Sequence, residues 1–267
     1  MASTMTENGE KRILASEGSH WYDRSGNPVY EVPKAKGDGM RPATLADARK
    51  LNLVPGYTTI ENVAAKPGLQ AWKLTQLLEA ALTLPRLDGE TLDEYAERIV
   101  EDSKAQSKEA ADQGTQLHAA IEQAIRGEDY DDLFIPHVRN VTAVLKTLYG
   151  LDLIPAEAEK TFCSSYGFGG KIDWRQGNII ADFKSKQTID DKKPLSFDNH
   201  GRQLAAYAVG AFGKYDGVRA LNIFVGVDDE KVRIVEWTGE GLEKGWRQFL
   251  CLLDFWYLTT GLQRNDR

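Results

Sequence analysis

Three strand-like segments, residues 157–164, 169–175 and 178–184, follow one another with only short glycine-containing turns between them. Each is too short for a helix and is bounded by turn residues. No other feature constrains the chain so strongly, because consecutive strands with turns this short must pair antiparallel. The resulting sheet needs cover on its apolar faces, and the flanking sequence offers it. Upstream, residues 91–126 are long, charged and free of proline, and read as one helix or two abutting at Gly114. A further helix spans about 136–148, stopped by Gly150. Downstream come a lysine-rich loop over 184–193, a helix over 203–212 and a strand pair over 218–227 and 231–237. An amphipathic helix over 239–258 ends the chain. Helices, three strands, helix, two strands, helix is the order of an α/β fold with a mixed β-sheet flanked by helices.

The N-terminal part carries weaker signals. Residues 1–16 are polar and read as a disordered tail. Residues 17–110 form a mostly helical N-terminal region, and 111–267 form the core with its C-terminal helix. Turn signals fall at Asp23-Arg24-Ser25-Gly26-Asn27-Pro28 and Lys36-Gly37-Asp38-Gly39. A short helix is expected over 44–51 with Thr44 as its N-cap. Leu74, Leu77, Leu78 and Ala81 give helical periodicity over 69–81. No internal repeat or low-complexity tract is found.

Composition removes several function classes. Two cysteines, Cys163 and Cys251, are too few for an iron–sulfur cluster or an all-Cys zinc site. No apolar run approaches the roughly 20 residues of a membrane helix. The N-terminus lacks the apolar stretch of a signal peptide. The expectation is a cytoplasmic protein with no membrane partner. A net charge of -7 counts against coating nucleic acid by bulk electrostatics. It leaves room for an enzyme on nucleic acid, whose metal-binding carboxylates add negative charge.

The chemistry concentrates between Gly169 and Lys186. Asp182 and Lys184 are two apart on a strand and share a face with Ile180. If Gln176-Gly177 is a two-residue turn, Asp173 pairs with Ile180 and joins that face as a diagonal neighbour of Asp182, roughly 7–8 Å away. A three-residue loop would send Asp173 to the opposite face. Two converging carboxylates suit a hard divalent cation, and Lys184 would position water or offset developing charge.

The spacing Asp173…Asp182-Phe183-Lys184 resembles the Asp…(Asp/Glu)-x-Lys core of the PD-(D/E)XK nuclease superfamily. Gly114-Thr115-Gln116-Leu117-His118 is similar to the Gly-Thr-x-x-His helix of its RecB-like exonuclease branch. Gln203-Leu204-Ala205-Ala206-Tyr207 is similar to that branch's Gln-x-x-x-Tyr helix. The segment Thr58-Thr59-Ile60…Lys66-Pro67-Gly68-Leu69…Trp72 resembles the N-terminal part of phage-encoded members.

The resemblance implies a restriction-endonuclease-like core and a DNA exonuclease dependent on Mg²⁺ or Mn²⁺. His118, Asp173 and Asp182 would be the metal ligands, and Lys184 the catalytic lysine beside Asp173 and Asp182. Gln203 and Tyr207 would line the site. Lys186 would bind substrate; from the residues alone, Lys171, Lys184, Lys186, Lys192, Lys193 and Arg202 read mostly as solvated charges, with a local phosphate track formed by some of them as the alternative. DNA ends or single strands would be the substrate. A recombination or single-strand-binding protein would be a possible partner, in a bacterial host cell if the chain is phage-encoded. The cysteines that flank the core in iron–sulfur members of the branch are absent. No P-loop of the form G-x-x-x-x-G-K-[ST] is present, so unwinding would fall to another protein.

Other readings stay open. A nuclease fold kept for non-catalytic DNA binding, or for partnership in recombination, is the first alternative; a hydrolase of small phosphate esters is the second. Glu122 is undecided. Glu157 and Glu159 read as solvated strand charges, with a further ligand as the alternative. Tyr166 and Phe168 would either stack on bases or pack. Trp246, Phe249, Leu250, Leu253 and Trp256 are spaced for the buried face of the last helix.

Overall fold

The computed structural model describes residues 3–5, 11–13, 20–65 and 67–264. The expected tail over 1–16 lies mostly outside the described residues. Within it only the backbone of a strand pair, β1 (Ser3–Met5) with β2 (Lys11–Ile13), is described. Lys66 also lies outside.

Residues 20–56 depart from the helical region expected there. Two small ribbons form, β3 (Trp21–Tyr22) with β6 (Val54–Pro55) and β4 (Glu31–Pro33) with β5 (Met40–Pro42). The helix between them, α1 (Leu45–Leu51), starts at Thr44 in a capping box with Asp47 and ends at Asn52 in the left-handed region. Helices take over from α2 (Tyr57–Glu61) and α3 (Pro67–Thr83). Strands of two or three residues are too short to show a period of two, so only their turns were visible.

The core follows the expected order. Helix α4 (Leu92–Arg126) runs unbroken for 35 residues through Gly114. Thr91 and Glu94 cap its start, and Gly127 closes it at φ 72°. Helix α5 (Ile135–Tyr149) ends at Gly150, also in the left-handed region. Strands β7 (Glu157–Ser164), β8 (Phe168–Gln176) and β9 (Ile179–Lys186) form an antiparallel meander. Helix α6 (Asp198–Phe212) crosses over to β10 (Arg219–Gly226), which lies parallel to β9, as such a crossover requires. Strand β11 (Val232–Trp237) pairs antiparallel with β10, and α7 (Glu240–Thr260) closes the chain. The sheet order is β11-β10-β9-β8-β7, a mixed five-stranded sheet with helices on both faces. No helix among the described residues is long and apolar enough to cross a membrane.

The central strand β9 is buried on both faces. Ile180 packs with Phe168, Ile172, Ala220 and the apolar sides of α6 and α7. Ala181 and Phe183 pack with Leu221, Ile223 and the apolar sides of α4 and α5. Trp246, Phe249, Leu253 and Trp256 lie in the first of these cores, with Leu250 packed against it, as their helical spacing requires.

Strand β8 breaks its own alternation. Ile172 belongs to the α6–α7 side and Trp174 to the α4–α5 side, although they are two apart. Strand β7 does the same between Phe162 and Ala158. The ladder between the two strands skips one position, residues 159 and 173, and Glu159 there has φ 54°. Both strands therefore change face at one point of the sheet. That point carries Glu159 and Asp173.

Candidate active site

The β8–β9 turn sits one residue later than the sequence suggests. Gln176 pairs with Ile179 and Arg175 with Ile180, so the two turn residues are Gly177 and Asn178. Gly177 has φ 59° while Asn178 does not enter the left-handed region, the pattern of a type II′ turn. The loop still has two residues, so the parity survives. Continued along the strands, this register sets Asp173 opposite Asp182 rather than diagonal to it.

The two aspartates then take different partners. Asp173 Oδ2 lies 3.3 Å from His118 Nε2 and accepts the Phe183 backbone N–H at 2.9 Å. Asp182 is 2% exposed. Its Oδ1 accepts Gln203 Nε2–H at 2.8 Å, and its Oδ2 accepts Asn222 Nδ2–H at 3.0 Å. The Lys184 ammonium bridges from Asp182, at 2.8 Å, to Gln203 Oε1, at 3.1 Å. Gln203 Nε2 also donates to the Tyr207 hydroxyl at 3.1 Å. His118 with Asp173, and Asp182 with Lys184, Gln203 and Tyr207, are thus two bonded groups that act on each other through their charges. Lys186 stands two residues beyond Lys184, half-buried, and forms no ion pair among the described residues.

Glu159, read from sequence as a solvated charge, lies beside His118 and Asp173. One ligand atom each from His118, Glu159 and Asp173 lie within 4.8 Å of one another. The Glu159 side chain is 9% exposed and pairs with the Lys171 ammonium. Its left-handed backbone is uncommon for a non-glycine residue, and such conformations concentrate at functional sites. Glu122 is drawn instead to Arg126, one helical turn on. Glu157 pairs on the surface with Lys160 and Arg175.

Electrostatics separates the two carboxylates. Burial pushes the Asp182 carboxyl up and outweighs the Lys184 ammonium, so its pKa lies above the usual aspartate value. Burial also opposes ionisation of Asp173, but the hydrogen bond and charge of His118 prevail and its pKa falls. Burial disfavours the His118 imidazolium, yet Asp173 holds its pKa above the ordinary histidine value. His200, at the start of α6, is lowered to about 4 by burial and by Lys184 and Lys186. It is therefore neutral at pH 7.

Glycine makes the approach of α4 possible. A Cβ on Gly114 would run into Ser185 of β9, so the Gly-Thr-x-x-His segment brings its histidine against the hairpin because its first residue has no side chain. Two sequence readings change, and of the two left open for Tyr166 and Phe168 packing is the one observed. Arg202 is not part of a phosphate track; it forms a buried pair with Glu61 at 2.6 Å. Lys171 is held by Glu159. Phe168 is fully buried and packs on Phe249, while Tyr166 packs edge-on to Trp246.

The donor set of one imidazole and two or three carboxylates fits a hard or borderline divalent cation. His118, Glu159 and Asp173 would hold it, and Asp182, fixed beside them, would offer an oxygen once Lys184 leaves it.

No family model matches the chain, and no curated protein matches it. Among solved structures, that of SSO0001 is 17% identical and covers 74% of this chain and 89% of its own, with a TM-score of 0.31. A candidate exonuclease from Eubacterium rectale is 14% identical and covers 79% of this chain and 76% of its own, with a TM-score of 0.35. Both overlays are too loose to bear on the chemistry, which rests on the residues of this chain.

Proposed function

We propose that this chain is a metal-dependent deoxyribonuclease, working as an exonuclease on DNA ends or single strands with Mg²⁺ or Mn²⁺. One observation carries the reading. The convergent group His118, Glu159 and Asp173 lies beside Asp182 and Lys184 at the point where β7 and β8 change face. A bound divalent cation would polarise the scissile phosphate and lower the pKa of its water. The chain's own groups do the rest. Lys184 is released from Asp182 to face the phosphate and offset charge as it develops. Gln203 keeps one oxygen of Asp182 fixed while the lysine moves. Lys186, on the rim, steadies a neighbouring phosphate.

The test is a substrate panel of end-labelled DNA, RNA and nucleotide esters with Mn²⁺. Release of nucleotides from DNA ends is expected. Turnover of the small esters alone would overturn the reading.

Glu159 gives a sharper check. Glu159→Gln is expected to raise the Mn²⁺ concentration for half-maximal cleavage about tenfold or more, the scale on which groups at a metal site act. Glu157→Gln, at the surface, is expected to leave it unchanged. Identical metal titrations for the two variants would remove Glu159 from the site.

A further inference from the structure

Asp182 is held from two sides, by Gln203 and by Asn222. Asn222 lies mid-strand in β10, is 0% exposed, and is the direct neighbour of Asp182 across the parallel β9–β10 ladder. Its Nδ2 donates to Asp182 Oδ2 at 3.0 Å, and its Oδ1 accepts Trp237 Nε1–H at 2.9 Å. An indole N–H can only donate. The carbonyl end of the Asn222 amide must therefore face Trp237, which leaves the NH₂ end facing the carboxylate. The ring of Trp237 is itself seated closely, since a Cβ on Gly201 of α6 would come within 2.6 Å of it. A line of donors thus runs Trp237 to Asn222 to Asp182 across three adjacent strands.

We infer that Asn222, aimed by Trp237, is a positioning residue for Asp182. This rests on the nuclease reading above. Gln203 grips Oδ1 and Asn222 grips Oδ2, so the carboxylate plane stays fixed when Lys184 leaves it for substrate. A carboxylate held by Gln203 alone would be free to rotate about its side chain. An asparagine kept only to satisfy a buried sheet would not need an indole to set which end of its amide meets the acid.

The test uses Asn222→Leu, Trp237→Phe and the double variant in the full chain. Three quantities are measured: Mn²⁺ affinity by electron paramagnetic resonance, DNA cleavage rate, and melting temperature. Asn222→Leu is expected to weaken Mn²⁺ binding and slow cleavage by about tenfold or more. Trp237→Phe keeps the amide but loses its aim, and a loss of about threefold is expected, between wild type and Asn222→Leu. The double variant should cleave no more slowly than Asn222→Leu, because Trp237 acts through Asn222. Its melting penalty should exceed that of either single variant, because lost indole packing is a separate effect, but fall short of their sum, because both single variants break the same hydrogen bond. Wild-type affinity and rate in Asn222→Leu, or losses in rate that multiply, would overturn the inference. If Asn222→Leu does not fold, unchanged binding and cleavage in Trp237→Phe would overturn it instead. Wild-type protein that neither binds Mn²⁺ nor cuts DNA would overturn the nuclease reading itself, and this inference with it.

Discussion

Lys184→Ala is expected to slow DNA cleavage by about 10²- to 10³-fold, the usual cost of removing a group aimed at developing charge. Affinity for DNA should change only a few-fold, because one phosphate contact among several is lost. The proposed role uses the position of Lys184. Its ammonium is 2.8 Å from Asp182 and 3.1 Å from Gln203, on a side chain 29% exposed. It can leave its partners without disturbing the buried strand beneath it. Asp182 would keep two hydrogen bonds in the variant, from Gln203 and Asn222, so the fold should survive. Single-turnover cleavage beside fluorescence anisotropy separates rate from binding. Unchanged turnover would exclude Lys184 from the mechanism.

The second large effect lies away from the chemistry. Glu61→Ala is expected to destabilise the protein by about 3–5 kcal/mol, the cost of breaking a buried ion pair from one side. Glu61 accepts from Arg202 Nη2 at 2.6 Å and Nε at 3.1 Å, and from the Tyr57 hydroxyl at 3.1 Å. Both side chains of the pair are well shielded, at 15% and 7% exposure. The pair ties α2 to α6 one residue before Gln203, so its loss should also loosen the site. A fall in melting temperature of roughly 10 °C would follow for a domain of this size. Glu236→Ala breaks the more exposed Arg219 pair, and should cost less than about 1 kcal/mol. Equal melting temperatures for the two variants would contradict this account of Glu61.

Much of this arrangement could be read before the structure. The meander, the crossover helix and the last helix follow from period and turn residues. The two-residue turn was legible, and its register sets Asp173 opposite Asp182 although the turn is Gly177-Asn178; the change of face at Asp173 was not, and there Asp173 meets His118 of α4 while Asp182 meets Gln203 of α6. Gln-Gly and Gly-Asn both suit a tight turn, so sequence could not choose between them. Glu159 was legible only as the lesser alternative, on equal terms with Glu157. Nothing in Glu157-Ala158-Glu159-Lys160 marks a left-handed residue, and two strands changing face together leave no trace in either pattern. Arg202 looked like a surface cation because its partner lies far away in sequence, at Glu61. Asn222 did leave a signal. It is the one polar residue in Ala220-Leu221-Asn222-Ile223-Phe224-Val225, and a strand buried on both faces runs almost continuously apolar. The ribbons of residues 20–56 are set by backbone contacts over distances that local periodicity does not report.

The central claim is that Asp182 and its neighbours cut DNA by means of a divalent cation. The most direct test gives metal-stripped wild-type protein and Asp182→Asn the same end-labelled DNA, in EDTA and across titrations of Mg²⁺ and Mn²⁺. The account predicts no cleavage in EDTA and none by Asp182→Asn. Wild-type activity should return with either ion, at lower concentration for Mn²⁺, which accepts an imidazole ligand more readily than Mg²⁺. Robust cleavage by the metal-stripped protein, or full activity of Asp182→Asn, would contradict it.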